Sequence, residues 1–234
     1  MPHNHCATIS EPPVIGSALA TYTTGDGLAT VRKARVSAQG RTTLVADLRL
    51  DLIPVLLRDK ASDAYDSGDA LGLLGLPGNE ASLELVAYNA EALQARGIYE
   101  EALLEAFIGT RTNNLRWPVA DLARLFDAAD RSKLRAAGEP LPGPGPFVLY
   151  RGVAGRGADR RVRGLSWTGT VDTARWFANR FELPDPAVYR ATVAAEDVLA
   201  YLHADGRDEA EFIVRLPTGV RPRLVERQTH GGCR

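Results

Sequence analysis

Two carboxylates, Glu209 and Glu211, stand two residues apart at the mouth of the apolar run Phe212-Ile213-Val214. A strand has a side-chain period of two, so both would point to one face. Like charges held that close raise each other's proton affinity. A surface strand gains nothing from such a pair, whereas a catalytic site can use it. A solvated acidic turn ahead of a strand has the same pattern, so the pair needs support from elsewhere in the chain.

Two upstream stretches supply it. Phe147-Val148-Leu149-Tyr150-Arg151-Gly152 reads as a strand ending in tyrosine, arginine and glycine, and Leu165-Ser166-Trp167-Thr168 reads as a strand running directly into a helix. Arg151 offers a planar fork suited to phosphate or ribose oxygens. Read alone, it is also an ordinary strand-end arginine. Ser166 and Thr168 share one strand face by the period of two, and in isolation they also suit a polar strand edge or a helix cap. Trp167 points to the opposite face, towards a core.

In this order, Arg151 in Tyr-Arg-Gly, Ser166-x-Thr168 and Glu209-x-Glu211 resemble the ADP-ribosyltransferases of the Arg–Ser–Glu class, the cholera-toxin-like branch of that superfamily. The helix Ala174-x-x-Phe177-Ala178-x-Arg180 and the run Val198-Leu199-Ala200-Tyr201 also look like the family. The resemblance spans residues 147 to 216. It implies an α+β, ADP-ribosyltransferase-like fold: a helical block followed by a mostly antiparallel β core of two packed sheets. NAD would be the substrate, with no metal.

The resemblance also implies roles. Cleavage of the nicotinamide–ribose bond passes through an oxocarbenium-like centre that a carboxylate near the sugar stabilises. Glu211 would accept a hydrogen bond from the ribose 2′-hydroxyl and offset the growing positive charge. Ser166 would position Glu211, and Thr168 would support the fold around it. Tyr150, Arg151, Gly152, Thr168 and Phe177 form the NAD-binding set. Lacking a side chain, Gly152 would let the backbone approach nicotinamide. Phe177, or in second place Trp176, would stack on the nicotinamide ring, unless Phe177 packs in the core instead. In the family, a glutamate two before the catalytic one goes with arginine acceptors. Glu209 would therefore orient a guanidinium and help remove its proton.

The expectation is a mono-ADP-ribosyltransferase that moves ADP-ribose from NAD to an arginine of a protein target and releases nicotinamide. NAD glycohydrolysis, or transfer to a nucleic acid, would use the same glutamate and arginine with only the acceptor changed. Arg156, Arg160, Arg161 and Arg163 lie between the first two motifs, where they could contact phosphates or form a solvated loop near the NAD pyrophosphate. A non-catalytic interaction module that keeps the fold is the reading from another class. The presence of both Arg151 and Glu211 counts against it.

These motifs need a scaffold, and the 234 residues are enough for one large domain or two small ones. Hydrophobic residues make up 45% and charged residues 24%, as in ordinary globular chains. The net charge of -1 provides no global field for nucleic acid or anionic membrane. Cys6 and Cys233 sit at opposite ends and suggest no disulfide framework or zinc spacing. The His3-x-His5-Cys6 cluster lies in a terminal segment and is not read as a metal site. No secretory leader or membrane-length apolar run is recognisable, so a cytoplasmic protein is expected, acting there or in a target cell as a toxin or phage-encoded modifier would.

Residues 1–62 read as an N-terminal β-rich accessory segment, with runs at Ala18–Thr23, Ala29–Val36 and Thr42–Leu50 and turns at Gly25-Asp26-Gly27 and Gln39-Gly40. Residues 63–234 read as the ADP-ribosyltransferase-like domain. Asp59 to Gly78, across that boundary, reads as a connector. The helical lobe spans 79–137, with helices expected from Glu80 to Arg96 behind an Asn79 cap, from Ile98 to Ile108, and from Pro118 to Ala136. The alternating Pro and Gly of residues 138–146 end the helical pattern. The β core spans 147–228, with one inserted helix at Val171–Phe181 capped by Thr170.

Overall fold

Apolar residues that alternate make the strands, most of them after residue 146, and those spaced three and four apart make the helices, most of them before it. In a computed structural model the described residues are 32–36, 42–77, 81–109, 117–203 and 210–228. The chain divides into two compact units, Met1–Asp121 and Leu122–Arg234. The protein is α+β.

In the first unit, β1 (Arg32–Val36) and β2 (Thr42–Ala46) pair antiparallel in the register Arg32↔Ala46 to Val36↔Thr42. The expected strand at Ala18–Thr23, both expected turns and the Asn79 cap lie outside the described residues. The expected connector at 59–78 is corrected: it holds α1 (Arg58–Ser67) and α2 (Ala70–Leu74). Ala61 and Tyr65 are four apart on the buried face of α1, and the Tyr65 hydroxyl donates to the carbonyl of Ala92 at 3.1 Å. Gly68 at φ +78° ends α1, and the Asp69 side chain accepts from the Gly72 amide at 2.8 Å to start α2.

The single helix expected over 80–96 is two, α3 (Ser82–Tyr88) and α4 (Ala90–Arg96). Buried Asn89 causes the break. Its Oδ1 accepts from the Arg49 amide at 2.5 Å, and its Nδ2 donates to the carbonyls of Arg49 and Leu85. The two bonds to Arg49 satisfy backbone groups of a segment 40 residues away. Gly97, at φ +84°, ends α4, and α5 (Tyr99–Gly109) buries Tyr99, Leu103, Leu104 and Phe107. The helix expected over 118–136 is also two, α6 (Val119–Asp127), which straddles the unit boundary, and α7 (Arg131–Ala137). The Asp130 carboxylate, accepting from the Ser132 and Lys133 amides, caps α7.

The second unit is built on β3 (Phe147–Val153), β4 (Ser166–Thr168), β5 (Ala187–Val193), β6 (Val198–Leu202), β7 (Glu211–Val214) and β8 (Arg223–Arg227), with α8 (Val171–Asn179) between β4 and β5. The strands hydrogen-bond in the order β6-β7-β4-β3-β5-β8, and every pairing is antiparallel. Two packed sheets were expected; the described strands form one series instead. The halves β6-β7-β4 and β3-β5-β8 join through the one register pair Tyr150↔Thr168. One face carries the core of Leu149, Trp167, Ala191, Val193, Phe212 and Val214. α8 lies on the other face, over β3 and β5. Among the described residues, no helix is long and apolar enough to cross a membrane.

Candidate functional site

Strand register assembles the site. Leu202, Glu211, Thr168, Tyr150, Arg190 and Arg223 occupy one cross-strand row, each paired with the next. Residues paired across strands project to the same side, with Cβ atoms about 4.5–5.5 Å apart. Glu211 and Tyr150 therefore flank Thr168, and Ser166, two residues before Thr168 and paired with Ile213, shares their face. All three motif strands are adjacent, and four of the expected site residues sit together.

Glu211 and Ser166 are half-buried, and Thr168 is buried. The Thr168 hydroxyl oxygen accepts from the Thr170 amide at 3.4 Å, and the Thr170 side chain accepts from the Thr173 amide at 3.3 Å to cap α8. The Ser166-x-Thr168 element thus passes directly into the helix cap. Trp167 packs in the core, with its indole N–H donating to the Gly164 carbonyl at 2.9 Å.

Arg151 leaves β3 on the face opposite Tyr150, at the end of the apolar cluster. Its Nε donates to the carbonyl of Arg161 at 2.9 Å, and its Nη1 donates to the carbonyl of Ser166. The guanidinium thereby ties the 161–166 segment to β3. Burial pulls its pKa down to about 10, with Glu211 opposing that fall and Arg161 adding to it. The group stays cationic at neutral pH and couples electrostatically to the Glu211 carboxylate on the opposite face. Two of its five N–H donors are taken by backbone carbonyls, a role that the sequence pattern did not reveal.

Gly164 is the residue that sequence reasoning missed here. A Cβ at this position would lie 2.6 Å from Arg151 Cζ and 3.0 Å from its Nε. The signal was a glycine placed just before a motif strand. Gly164→Ala is expected to destabilise the protein by about 1–3 kcal/mol, read as a shift in denaturant midpoint. In an Arg151→Ala background the same change should cost little. Equal costs in both backgrounds would mean that the guanidinium is not what the methyl meets.

Gly152 faces α8 instead of an open cleft. The space that a side chain would fill is taken by the helix backbone at Ala174 and Ala178. Phe177 is half-buried on α8, edge-on to Trp176 at 5.0 Å, with the Arg180 guanidinium 5.9 Å from its ring centroid. Glu209 lies outside the described residues.

The arginine-rich stretch between the first two motifs is not one patch. Arg156 pairs with Asp185 at 2.7 Å, and Arg160 donates to the Asp185 carbonyl at 2.8 Å and lies over the Tyr189 ring. With Gly157 and Arg227 they line a cavity of about 500 Å³. The hydrogen bond from Arg156 holds the Asp185 carboxyl below its usual range. Arg163 turns the other way, towards the 216–220 segment. Among the described residues, no group of three or more His, Cys, Asp or Glu side chains could hold a metal ion. No family model matches the chain, and neither the curated proteins nor the solved structures contain a match.

Proposed function

We propose that the second unit is a mono-ADP-ribosyltransferase that uses NAD and modifies an arginine side chain of a protein target. The observation that supports this reading most is the row Glu211–Thr168–Tyr150, with Ser166 on the same face and the Arg151 cation coupled to Glu211. A carboxylate beside hydroxyl groups, coupled to a fixed cation on the other side of the sheet, suits a reaction in which a positive sugar centre forms.

In the proposed reaction the bond from ribose C1′ to the nicotinamide nitrogen breaks. Nicotinamide leaves with the electron pair as a neutral molecule. Glu211 stabilises the oxocarbenium charge through space and through the 2′-hydroxyl. A guanidinium nitrogen of the acceptor then bonds to C1′, and its proton passes to Glu209. The arginine acceptor rests on Glu209 in the sequence.

The test is to incubate the protein with labelled NAD and a cell extract, alongside Glu209→Ala. Label should appear on protein and be released by hydroxylamine, as arginine linkage requires. Glu209→Ala should lose transfer while keeping part of the NAD hydrolysis. Label confined to nucleic acid would overturn the acceptor, and an inert wild-type protein would overturn the enzyme.

A further inference from the structure

A second cavity, of about 680 Å³, opens where β7 ends, lined by Arg131, Arg163, Arg215 and Arg221 with Asp197 and Thr218 among its walls. Its charge is unbalanced. The lining carries four guanidinium groups against the single carboxylate of Asp197, and Asp127 pairs with Arg215 from outside the lining. Two positive charges remain in excess.

The hydrogen bonds in its walls orient these groups without neutralising them. Arg163 donates to the carbonyls of Leu216 at 2.9 Å, Pro217 at 2.8 Å and Val220 at 2.6 Å, which closes the 216–220 segment around the cavity. Arg131 donates to the Glu196 carbonyl. Carbonyls are neutral partners, so both cations keep their full field. The Arg215–Asp127 pair is 3.3 Å long between two half-exposed side chains, a geometry worth about 0–1 kcal/mol that a stronger anion can displace.

We infer that this cavity binds the phosphate group of a small phosphorylated ligand, with Arg131, Arg215 and Arg221 as its anion partners and Arg163 as the residue that holds the wall in place. Guanidinium groups match phosphate oxygens bidentately. The volume falls within the range of about 300–1,000 Å³ typical of small-molecule sites, so an organic remainder fits beside the phosphate. The site is displaced from Glu211 along the strand direction: Arg215 lies four residues further along the chain, about 13 Å at strand spacing.

Inorganic pyrophosphate titrated into the full chain by calorimetry is the probe. One equivalent should bind, more weakly as salt increases. The double variant Arg131→Gln/Arg221→Gln should lose at least tenfold in affinity with an unchanged unfolding midpoint, since both side chains are exposed. The single change Arg221→Glu should weaken binding in the same direction. Glu211→Gln should bind pyrophosphate as the wild type does, whether or not the chain turns over NAD. No binding by the wild type, full affinity in the double variant, or loss in Glu211→Gln would each overturn the site.

Discussion

Glu211→Gln is expected to lower the rate of nicotinamide release from NAD by about 10²–10³-fold, the usual loss when one preorganised electrostatic partner of a transition state is removed. Glutamine keeps the size of the side chain and its place beside Thr168 in the row, so substrate binding should change little. The loss should therefore fall on kcat and leave KM near its wild-type value. Arg151 provides a second, independent readout. Burial lowers the proton affinity of its guanidinium and Glu211 raises it, so the neutral amide leaves the buried cation less compensated. A lower unfolding midpoint should accompany the kinetic defect. In the double variant with Arg151→Met that stability penalty should shrink, since the charge that Glu211 compensates is gone. A Glu211→Gln protein that releases nicotinamide at the wild-type rate would remove Glu211 from the chemistry. An unchanged midpoint would remove its coupling to Arg151.

What was legible in the sequence depended on how local the cause was. Every strand expected from residue 147 onward is present, because alternation is written into consecutive residues: Leu149 and Trp167 inward, Tyr150 and Thr168 outward. Strand parity placed Ser166 and Thr168 on one face, since period two holds within a strand, whereas the register Thr168↔Glu211 that adds Glu211 to that face depends on the neighbouring strand. The helix break at Asn89 was hidden because the apolar stripe Leu83, Val86, Ala87, Ala90 and Leu93 runs through it at helical spacing. Only the Arg49 backbone, distant in sequence, makes the interruption favourable. The helices at 58–74 were masked by their Asp and Gly content, which is capping chemistry at Gly68 and Asp69 and not loop character. The direction of the Arg151 fork was equally unreadable. A strand-end arginine looks the same whether it faces solvent or the carbonyls of Arg161 and Ser166. The arginine cavity draws Arg131, Arg163, Arg215 and Arg221 from separate segments, so no window of sequence contains it.

Gly152→Ala is expected to be the most damaging single change in the second unit, lowering its stability by about 3 kcal/mol or more, at or beyond the top of the usual overpacking range. For a unit of this size that corresponds to a fall in Tm of more than about 10 °C. The added methyl would sit 2.6 Å from the Ala178 nitrogen and 2.9 Å from the Ala174 carbonyl carbon, and closer still to the Ala174 oxygen. These are backbone atoms of α8, so no rotamer change can relieve the contact. The helix must lift off β3 as a body, exposing Ala174 and Ala178, which are now fully buried. Trimming the helix side chains with Ala174→Gly should not rescue the variant, because the obstruction is main chain. Gly219→Ala serves as the control, since a Cβ there meets nothing within 4 Å and should leave Tm unchanged. Because α8 starts from the Thr170 cap two residues beyond Thr168, lifting it also disturbs the row that holds Glu211. Any NAD turnover should therefore fall together with stability. A Gly152→Ala protein that melts like the wild type would mean that the helix does not seat on this glycine, and the scaffold proposed for the site would fail with it.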